Sequence, residues 1–79
     1  RMAELLLMLK ETYGKPGKKG IKIDLQLSRE ELAEMIGITQ ETAIRLLSEF
    51  KQDGLIEVKE RDITILNSKA LLETAHLEA

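Results

Sequence analysis

The chain has 79 residues, which allow one small domain with a single hydrophobic core and exclude a second domain. It contains no cysteine and one histidine, so a disulfide framework, a thiolate metal site and a zinc centre are excluded. One Phe, one Tyr and no Trp argue against the stacking of single-stranded bases, and a net charge of -2 argues against indiscriminate binding of polyanions.

The first segment, from Arg1 to about Tyr13, is rich in good helix formers and predicts a helix packed on the core. Gly14 is placed to end this helix, and Pro16 prevents its continuation. The apolar run inside the segment is too short to cross a bilayer and nothing resembles a signal peptide, so we expect a soluble protein without membrane association. The absence of cysteine fits a reducing cytoplasm. Because the helical pattern starts without an N-cap or an initiator Met, we expect the chain to be a fragment of a longer protein.

Glycine and lysine dominate the next stretch, residues 14–20. The glycine spacing differs from that of a phosphate-binding P-loop, and no Ser or Thr follows the lysine, so we interpret the stretch as a flexible, solvated connector. A second interpretation places its lysines near DNA phosphates. Residues 1–23 contain six basic and two acidic residues, so positive charge is concentrated at this end of the chain.

A strand and the start of a helix follow this basic stretch. Apolar and polar residues alternate from Ile21 to Leu25, which predicts a half-buried strand. Ser28 followed by Glu31 forms the capping-box pattern that opens a helix. Gly37 is suited to the positive φ of a sharp turn at the end of that helix. The expected inward side chains of the helix are Leu32, Ala33 and Ile36.

A second, longer helix is predicted to start at an N-cap, Thr39, to run to about Asp53 and to be closed by Gly54. Its buried stripe at i, i+3, i+4 and i+7 comprises Ala43, Leu46, Leu47 and Phe50. At about 100° per residue, the opposite and exposed face carries Glu41, Arg45, Ser48 and Gln52. A short helix, a sharp turn and a longer helix are the layout of a helix-turn-helix, whose second helix lies in the DNA major groove.

The last third of the chain predicts a β-hairpin and a helix. The two β-rich runs 55–58 and 63–66 are separated by four charged residues, which is typical of an antiparallel hairpin. Ser68 is the expected cap of a last helix, whose core-facing residues are Leu71, Leu72 and Ala75. The predicted fold class is therefore mainly α with a small β-wing (α+β): a winged helix-turn-helix with a three-helix core, a β-hairpin and flanking terminal helices.

The segment LSREELAEMIGITQETAIRLLSEFKQDGLIEVKERDITI resembles the C-terminal winged-helix domain of the Crp/Fnr family of bacterial transcription regulators. Its most specific element is Glu41-Thr42 followed by Arg45. The resemblance implies that residues 1–79 form one DNA-binding output domain, from which an N-terminal effector-sensing β-barrel and a dimerisation helix are missing. It also implies a homodimer on a palindromic operator, allows RNA polymerase as a further partner, and leaves this domain without a cofactor, since the effector belongs to the sensor.

The same resemblance assigns base reading to Glu41 and Arg45, and site preference to Gln40 and Ile44. Chemistry supports these roles, because a carboxylate accepts a hydrogen bond from cytosine N4 and a guanidinium donates two bonds to guanine O6 and N7. Gln40 could read adenine or touch a phosphate, and Ile44 could pack against a thymine methyl group. We predict a half-site with a G·C pair read by Glu41 and Arg45.

Contacts to the DNA backbone are expected from hydroxyl and basic side chains that position the second helix. These are Ser28, Thr39, Thr42, Ser48, Lys51 and Arg61. Glu60 and Asp62 flank Arg61, although the family's wing usually carries a glycine and basic residues at its tip.

Three other interpretations concern the same residues. Glu41 and Arg45 are spaced i, i+4 and could form only a surface ion pair. The winged helix could contact another protein instead of DNA, which the net acidity and the acidic wing favour. An enzyme would need a nucleophile with its base, but the chain has no Cys/His pair and no Ser/His/Asp set, so we expect no enzymatic activity.

Overall fold

A computed structural model describes residues 1–78, which form four helices and a four-stranded antiparallel sheet. The elements in chain order are α1 (Met2–Tyr13), β1 (Gly14–Pro16), β2 (Ile21–Ile23), α2 (Arg29–Ile36), α3 (Gln40–Gln52), β3 (Ile56–Lys59), β4 (Asp62–Ile65) and α4 (Ser68–Glu78). The predicted winged helix-turn-helix is confirmed. Among these residues, no helix combines the length and apolarity that a membrane crossing needs.

The two helices of the helix-turn-helix begin at the predicted caps. Ser28 Oγ accepts the Glu31 N–H at 3.0 Å, and Glu31 Oε1 accepts the Ser28 N–H at 2.8 Å, so the capping box is complete. Thr39 Oγ1 accepts the Thr42 N–H at 3.2 Å. Gly37 takes the left-handed conformation with φ 71°, which turns the chain from α2 into α3.

An aliphatic core holds these helices in place. α1 packs against α4 and β2, α2 packs against α3, and α3 packs against β3. The largest fully buried side chains are Met2, Leu6, Leu32, Ile56, Ile65 and Leu71. Within residues 1–78 no polar side chain is buried, so the side chains that anchor α3 in the core are apolar.

The predicted stripe of α3 is confirmed, since Ala43, Leu47 and Phe50 are buried and Leu46 is half-buried against them. The predicted inward face of α4 is correct at Leu71 and Ala75. It is wrong at Leu72, which is 48% exposed because it lies about 100° around the helix from its buried neighbour.

Residues 14–23 form a β-hairpin, so the prediction of residues 14–20 as a flexible connector is wrong. β1 pairs antiparallel with β2, with Gly14 opposite Ile23. The Gly17 N–H donates to Gly20 O at 2.8 Å and closes the turn between the strands. We call this element the basic hairpin, because Lys15, Lys18, Lys19 and Lys22 lie on it.

Gly14 ends α1 in a different way from the one predicted. Its backbone is extended, with φ -71° and ψ 135°, and it leads directly into β1. A Cβ atom at this position would lie 2.3 Å from the carbonyl oxygen of Lys10. The position therefore requires glycine because the chain passes close to the end of α1, and not because of a left-handed turn.

The basic hairpin and the wing belong to one sheet, with strand order β1-β2-β4-β3. β2 pairs with β4 so that Ile21 faces Ile65 and Ile23 faces Ile63, and β2 ends two residues before the predicted Leu25. The wing turn lies beyond the Ile63 end of this register, and the tip of the basic hairpin lies beyond the Ile65 end. The two turns therefore occupy opposite ends of the sheet.

Asn67, and not the predicted Ser68, caps α4. Its Oδ1 accepts the Ala70 N–H at 3.0 Å. The Ser68 hydroxyl instead accepts a hydrogen bond from Lys10 Nζ at 3.3 Å, which connects α4 to α1. Asn and Ser are both good N-caps, so these two adjacent residues are equally plausible from the sequence. With Asn67 as the cap, α4 begins one residue earlier than predicted.

Candidate DNA-binding surface

α3 presents the predicted base-reading residues on its outer side, opposite the stripe that anchors it. Gln40, Glu41 and Arg45 are exposed, and Ile44 is 48% exposed at the border of the buried stripe. Because the anchor is fully packed, these four side chains project from a rigid helix. Rigid placement is what discrimination between base edges requires.

Arg45 pairs with Glu49 and not with Glu41. Arg45 Nη1 lies 3.3 Å from Glu49 Oε2, and the two side chains are 63% and 52% exposed. Surface pairs at this spacing stabilise a helix by a few tenths of a kcal/mol, about 0.2–0.5. Glu41 takes part in no ion pair within residues 1–78. The structure thus does not show the Glu41–Arg45 pair, and Arg45 can leave its partner at little cost.

The predicted phosphate contacts at the helix starts double as caps. Ser28 Oγ already accepts one N–H bond, and a hydroxyl has one proton to donate as well. Thr39 Oγ1 and Thr42 Oγ1 lie 2.9 Å apart and share a hydrogen bond, so one of their two protons remains for an external acceptor. The N–H groups and dipole of a helix start also favour an anion. The Ser28 hydroxyl and one of the two threonine hydroxyls therefore keep a proton that an external acceptor could take.

Ser48 and Lys51 lie farther along α3, and both are exposed. At 1.5 Å per residue, Lys51 is roughly 18 Å from the cap at Thr39, which is more than the width of the major groove. Lys51 therefore lies near the end of α3, far from the caps at the helix start.

The wing turn, residues 60–61, lies beside the start of α2. Arg29 Nη2 donates to the carbonyl oxygen of Glu60 at 3.4 Å, and Gln26 Nε2 donates to Asp62 Oδ1 at 3.0 Å. Glu60 takes a left-handed backbone conformation in this turn, with φ 58°. These bonds hold the wing against α2, and sequence reasoning missed both Arg29 and Gln26 because their partners are more than thirty positions away in the chain.

Arg61 is exposed in this turn and lies close enough to Glu31 to influence it electrostatically. The N–H and hydroxyl groups of Ser28 lower the pKa of Glu31 most, and the positive charge of Arg61 lowers it further. Arg61 and Ser28 therefore both lie near Glu31, at the start of α2.

The lysines of the basic hairpin are largely occupied by acidic partners. Lys15 Nζ lies 2.9 Å from Asp24, and Lys19 Nζ lies 3.1 Å from Glu57. The pair with Lys15 lowers the pKa of Asp24. Lys18 and Lys19, in the hairpin tip, lie at the opposite end of the sheet from the wing turn, whereas Lys22 Nζ lies 3.8 Å from Asp62 Oδ2 beside the wing.

The surface is not strongly basic. α2, α3 and their connection, residues 29–52, contain three basic and five acidic residues. Non-specific affinity grows with the number of phosphates neutralised, so this charge balance favours contacts to particular bases over general attraction. Within residues 1–78, no group of three His, Cys, Asp or Glu side chains is arranged to hold a metal ion.

The exposed α3, its caps and the adjoining wing define a winged helix-turn-helix, the class of protein that inserts its second helix into the major groove. A family profile described as the Crp-like helix-turn-helix domain matches residues 1–74. The chain belongs to this family, as its resemblance to Crp/Fnr regulators predicted.

Named relatives agree with this membership. The global nitrogen regulator of Synechocystis sp. is 39% identical over 71 residues, which are 90% of this chain and 32% of that protein. The regulatory protein CysR of Synechococcus elongatus is 37% identical over 82 residues, covering 100% of this chain and 40% of that protein. The chain thus spans about a third of the length of the curated relatives it matches.

A solved structure of similar fold is the CO-dependent transcription factor CooA from Carboxydothermus hydrogenoformans. It superposes with a TM-score of 0.86 and 36% sequence identity, over 92% of this chain and 34% of that one.

Proposed function

We propose that this domain binds double-stranded DNA at specific sequences, as the output module of a Crp/Fnr-type transcription regulator. The observation that carries the proposal is the placement of Glu41 and Arg45 on the outer face of α3, a helix fixed from behind by a fully apolar core. The role is one of binding and not of catalysis.

Arg45 donates two hydrogen bonds to guanine O6 and N7 and Glu41 accepts one from cytosine N4, so together they read a G·C step. Gln40 reads adenine or a phosphate at the start of the helix, and Ile44 packs on a thymine methyl group. Support comes from the exposure of all four side chains and from the weakness of the pair that Arg45 must leave.

Phosphate contacts fix the register of α3 on the duplex. The caps of α2 and α3 donate through hydroxyl protons, Lys51 reaches the flanking backbone, and Arg61 approaches from the wing. The set comprises Ser28, Thr39, Thr42, Ser48, Lys51 and Arg61.

Two copies act together in the complete regulator. One domain of net charge -2 neutralises few phosphates, so useful affinity requires two half-sites of a palindrome about one helical turn apart. We place the effector site and the dimerisation helix in segments outside this chain, which needs no cofactor of its own, and we place the regulator in the cytoplasm with RNA polymerase as a second partner.

Selection from random duplex DNA tests the proposal directly, with two copies of the chain joined by a flexible linker. We expect an enriched palindrome with a G·C position in each half-site, and loss of that position alone in Arg45→Ala. Lys69→Ala, which removes an exposed positive charge from α4, is the control and keeps the full palindrome.

Two outcomes of this selection would contradict the proposal. If the joined wild-type copies are folded but enrich no sequence at low salt, the proposal is wrong. A protein-protein contact through α3 then takes its place. A palindrome without a preferred G·C position, or one that Arg45→Ala leaves intact, contradicts the assignment of Glu41 and Arg45.

A further inference from the structure

We propose that Glu49 is a specificity-determining residue, which withholds Arg45 from DNA phosphates until a guanine replaces it as partner. The inference rests on the proposed function of α3 as the helix in the major groove. Glu49 acts through Arg45 and does not itself read a base.

Position on the helix is the first support. Glu41, Arg45 and Glu49 follow one another at intervals of four and form a line on the exposed side of α3, with successive members about 6 Å apart along the axis. Arg45 stands between two carboxylates and pairs with the one farther from the helix start, at 3.3 Å. Both carboxylates are in solvent, so the pairing reflects the geometry of α3 and not burial.

The charge of this pair determines how α3 meets DNA that lacks the preferred site. An unpaired arginine would move to the nearest phosphate and release a counterion, which strengthens binding to every sequence. Glu49 neutralises Arg45 and also brings a negative charge towards the backbone, so both effects weaken non-specific binding. The domain therefore loses affinity where no guanine is offered.

A guanine at the correct position changes the balance. Its O6 and N7 accept two parallel bonds from one guanidinium, a stronger arrangement than a single contact at 3.3 Å. The helix pair is also weak in its direction, because a basic residue N-terminal to an acidic one is the less favourable order. Arg45 thus exchanges Glu49 for guanine, and the preferred site keeps most of its affinity.

The test is the substitution Glu49→Gln, which keeps the length of the side chain and removes its charge. Affinity is measured by fluorescence anisotropy on the selected duplex and on a scrambled duplex, over a series of salt concentrations. We expect affinity for the scrambled duplex to rise several-fold and affinity for the selected duplex to rise less. The slope of log affinity against log salt on scrambled DNA should steepen by about one, as one more cation reaches a phosphate.

Two comparisons separate this role from a general charge effect. Glu73→Gln makes the same charge change on the exposed side of α4, which packs against α1, and should change both duplexes by equal, small factors. In an Arg45→Ala background, Glu49→Gln should no longer alter the ratio between the two duplexes. A merely structural role would not disappear when Arg45 is removed.

The proposal is overturned if Glu49→Gln leaves the ratio and the salt slope unchanged, or if it lowers the ratio equally with and without Arg45. In both cases wild-type preference for the selected duplex shows that the proposed function stands. If the wild-type chain prefers no duplex, both the function and the role of Glu49 are rejected. Unchanged thermal unfolding of Glu49→Gln verifies that affinities compare folded proteins, as expected for an exposed residue.

Discussion

Gly20 and Gly37 are required for two different physical reasons. At Gly20 a Cβ atom would lie 2.1 Å from the carbonyl oxygen of Ile65, so the obstacle is the neighbouring strand. At Gly37 nothing lies within 4 Å of such an atom, but φ is 71°, a conformation that L side chains adopt at a cost. One glycine allows close approach, and the other allows a turn.

Substitution should separate these causes. Gly37→Ala should lower the free energy of unfolding by about 1–2 kcal/mol through backbone strain. Gly37→Asn should lower it less, because Asn tolerates the left-handed region. Gly20→Ala and Gly20→Asn should lower the free energy of unfolding equally, because any Cβ atom there meets the carbonyl oxygen of Ile65. Urea denaturation measures all four, and equal losses for Gly37→Ala and Gly37→Asn would contradict strain as the cause.

Arg45 illustrates a residue whose function and stability are independent. Since its side chain is 63% exposed and its one ion pair is weak, Arg45→Ala should change the free energy of unfolding by less than about 0.5 kcal/mol. On the selected duplex the same change should remove about 1–3 kcal/mol of base discrimination. Chemical denaturation and competition binding on one preparation provide both values, and a large loss of stability would mean that Arg45 supports the fold.

Among the elements, the start of α2 carries a pH-dependent contribution to stability. Hydrogen bonds from Ser28, and then the charge of Arg61, lower the pKa of Glu31 below its usual 4.5. A carboxyl group whose pKa is lower in the folded state stabilises the fold above its unfolded pKa. That stabilisation disappears as the pH falls through the folded value.

Glu31→Gln tests this dependence, because the amide can still accept from the Ser28 N–H but has no charge. The wild type should be the more stable protein at neutral pH, and the difference should vanish as the pH falls below 4.5. Glu30→Gln is the control, since it removes a charge from the same turn without a capping bond. Unfolding curves from about pH 7 downwards that show the same change for both variants would contradict the role of Glu31.

The elements that sequence predicted well are those governed by neighbours in the chain. A Ser followed by Glu three residues later specifies its own cap, and a period of 3.6 separates the two faces of α3. β1 was missed because it is an exposed edge strand of three residues, without alternation, and it exists only through pairing with β2. Its register depends on contacts that no local pattern encodes.

The same distinction holds within the candidate site. The exposed face of α3 follows from helix geometry, so Glu41 and Arg45 could be placed before the structure was known. The partner of Arg45 could not, because Glu41 and Glu49 are at equal spacing on either side and side-chain rotamers decide between them. The contacts of the wing turn with Arg29 also depend on tertiary packing.

For the whole molecule, stability is concentrated in one aliphatic core. A domain of this size has about 5–15 kcal/mol of stability, near the lower end of that range because it buries little surface. Leu71 is fully buried between α4 and the core, whereas its neighbour Leu72 is 48% exposed. These two leucines form a matched pair on the same helix.

Leu71→Ala should cost about 2–5 kcal/mol, since it removes transfer energy and leaves a cavity, while Leu72→Ala should cost less than about 1 kcal/mol. Thermal unfolding followed by circular dichroism measures both. DNA binding by Leu71→Ala should be reduced near its melting temperature and restored on cooling. Similar costs for the two variants would mean that α4 does not close the core.

The order of strands has a consequence for how the protein is made. β4 is the last strand in the chain but an inner one in the sheet, where it joins β2, roughly 40 residues earlier in the chain, to β3. A nascent chain leaving the ribosome therefore carries α2 and α3 before the strand that connects the wing to the basic hairpin. Until Asp62–Ile65 emerges, one edge of β2 stays unpaired. An unpaired strand edge can associate incorrectly with other chains. The four-stranded sheet can therefore form only after β4 has been synthesised.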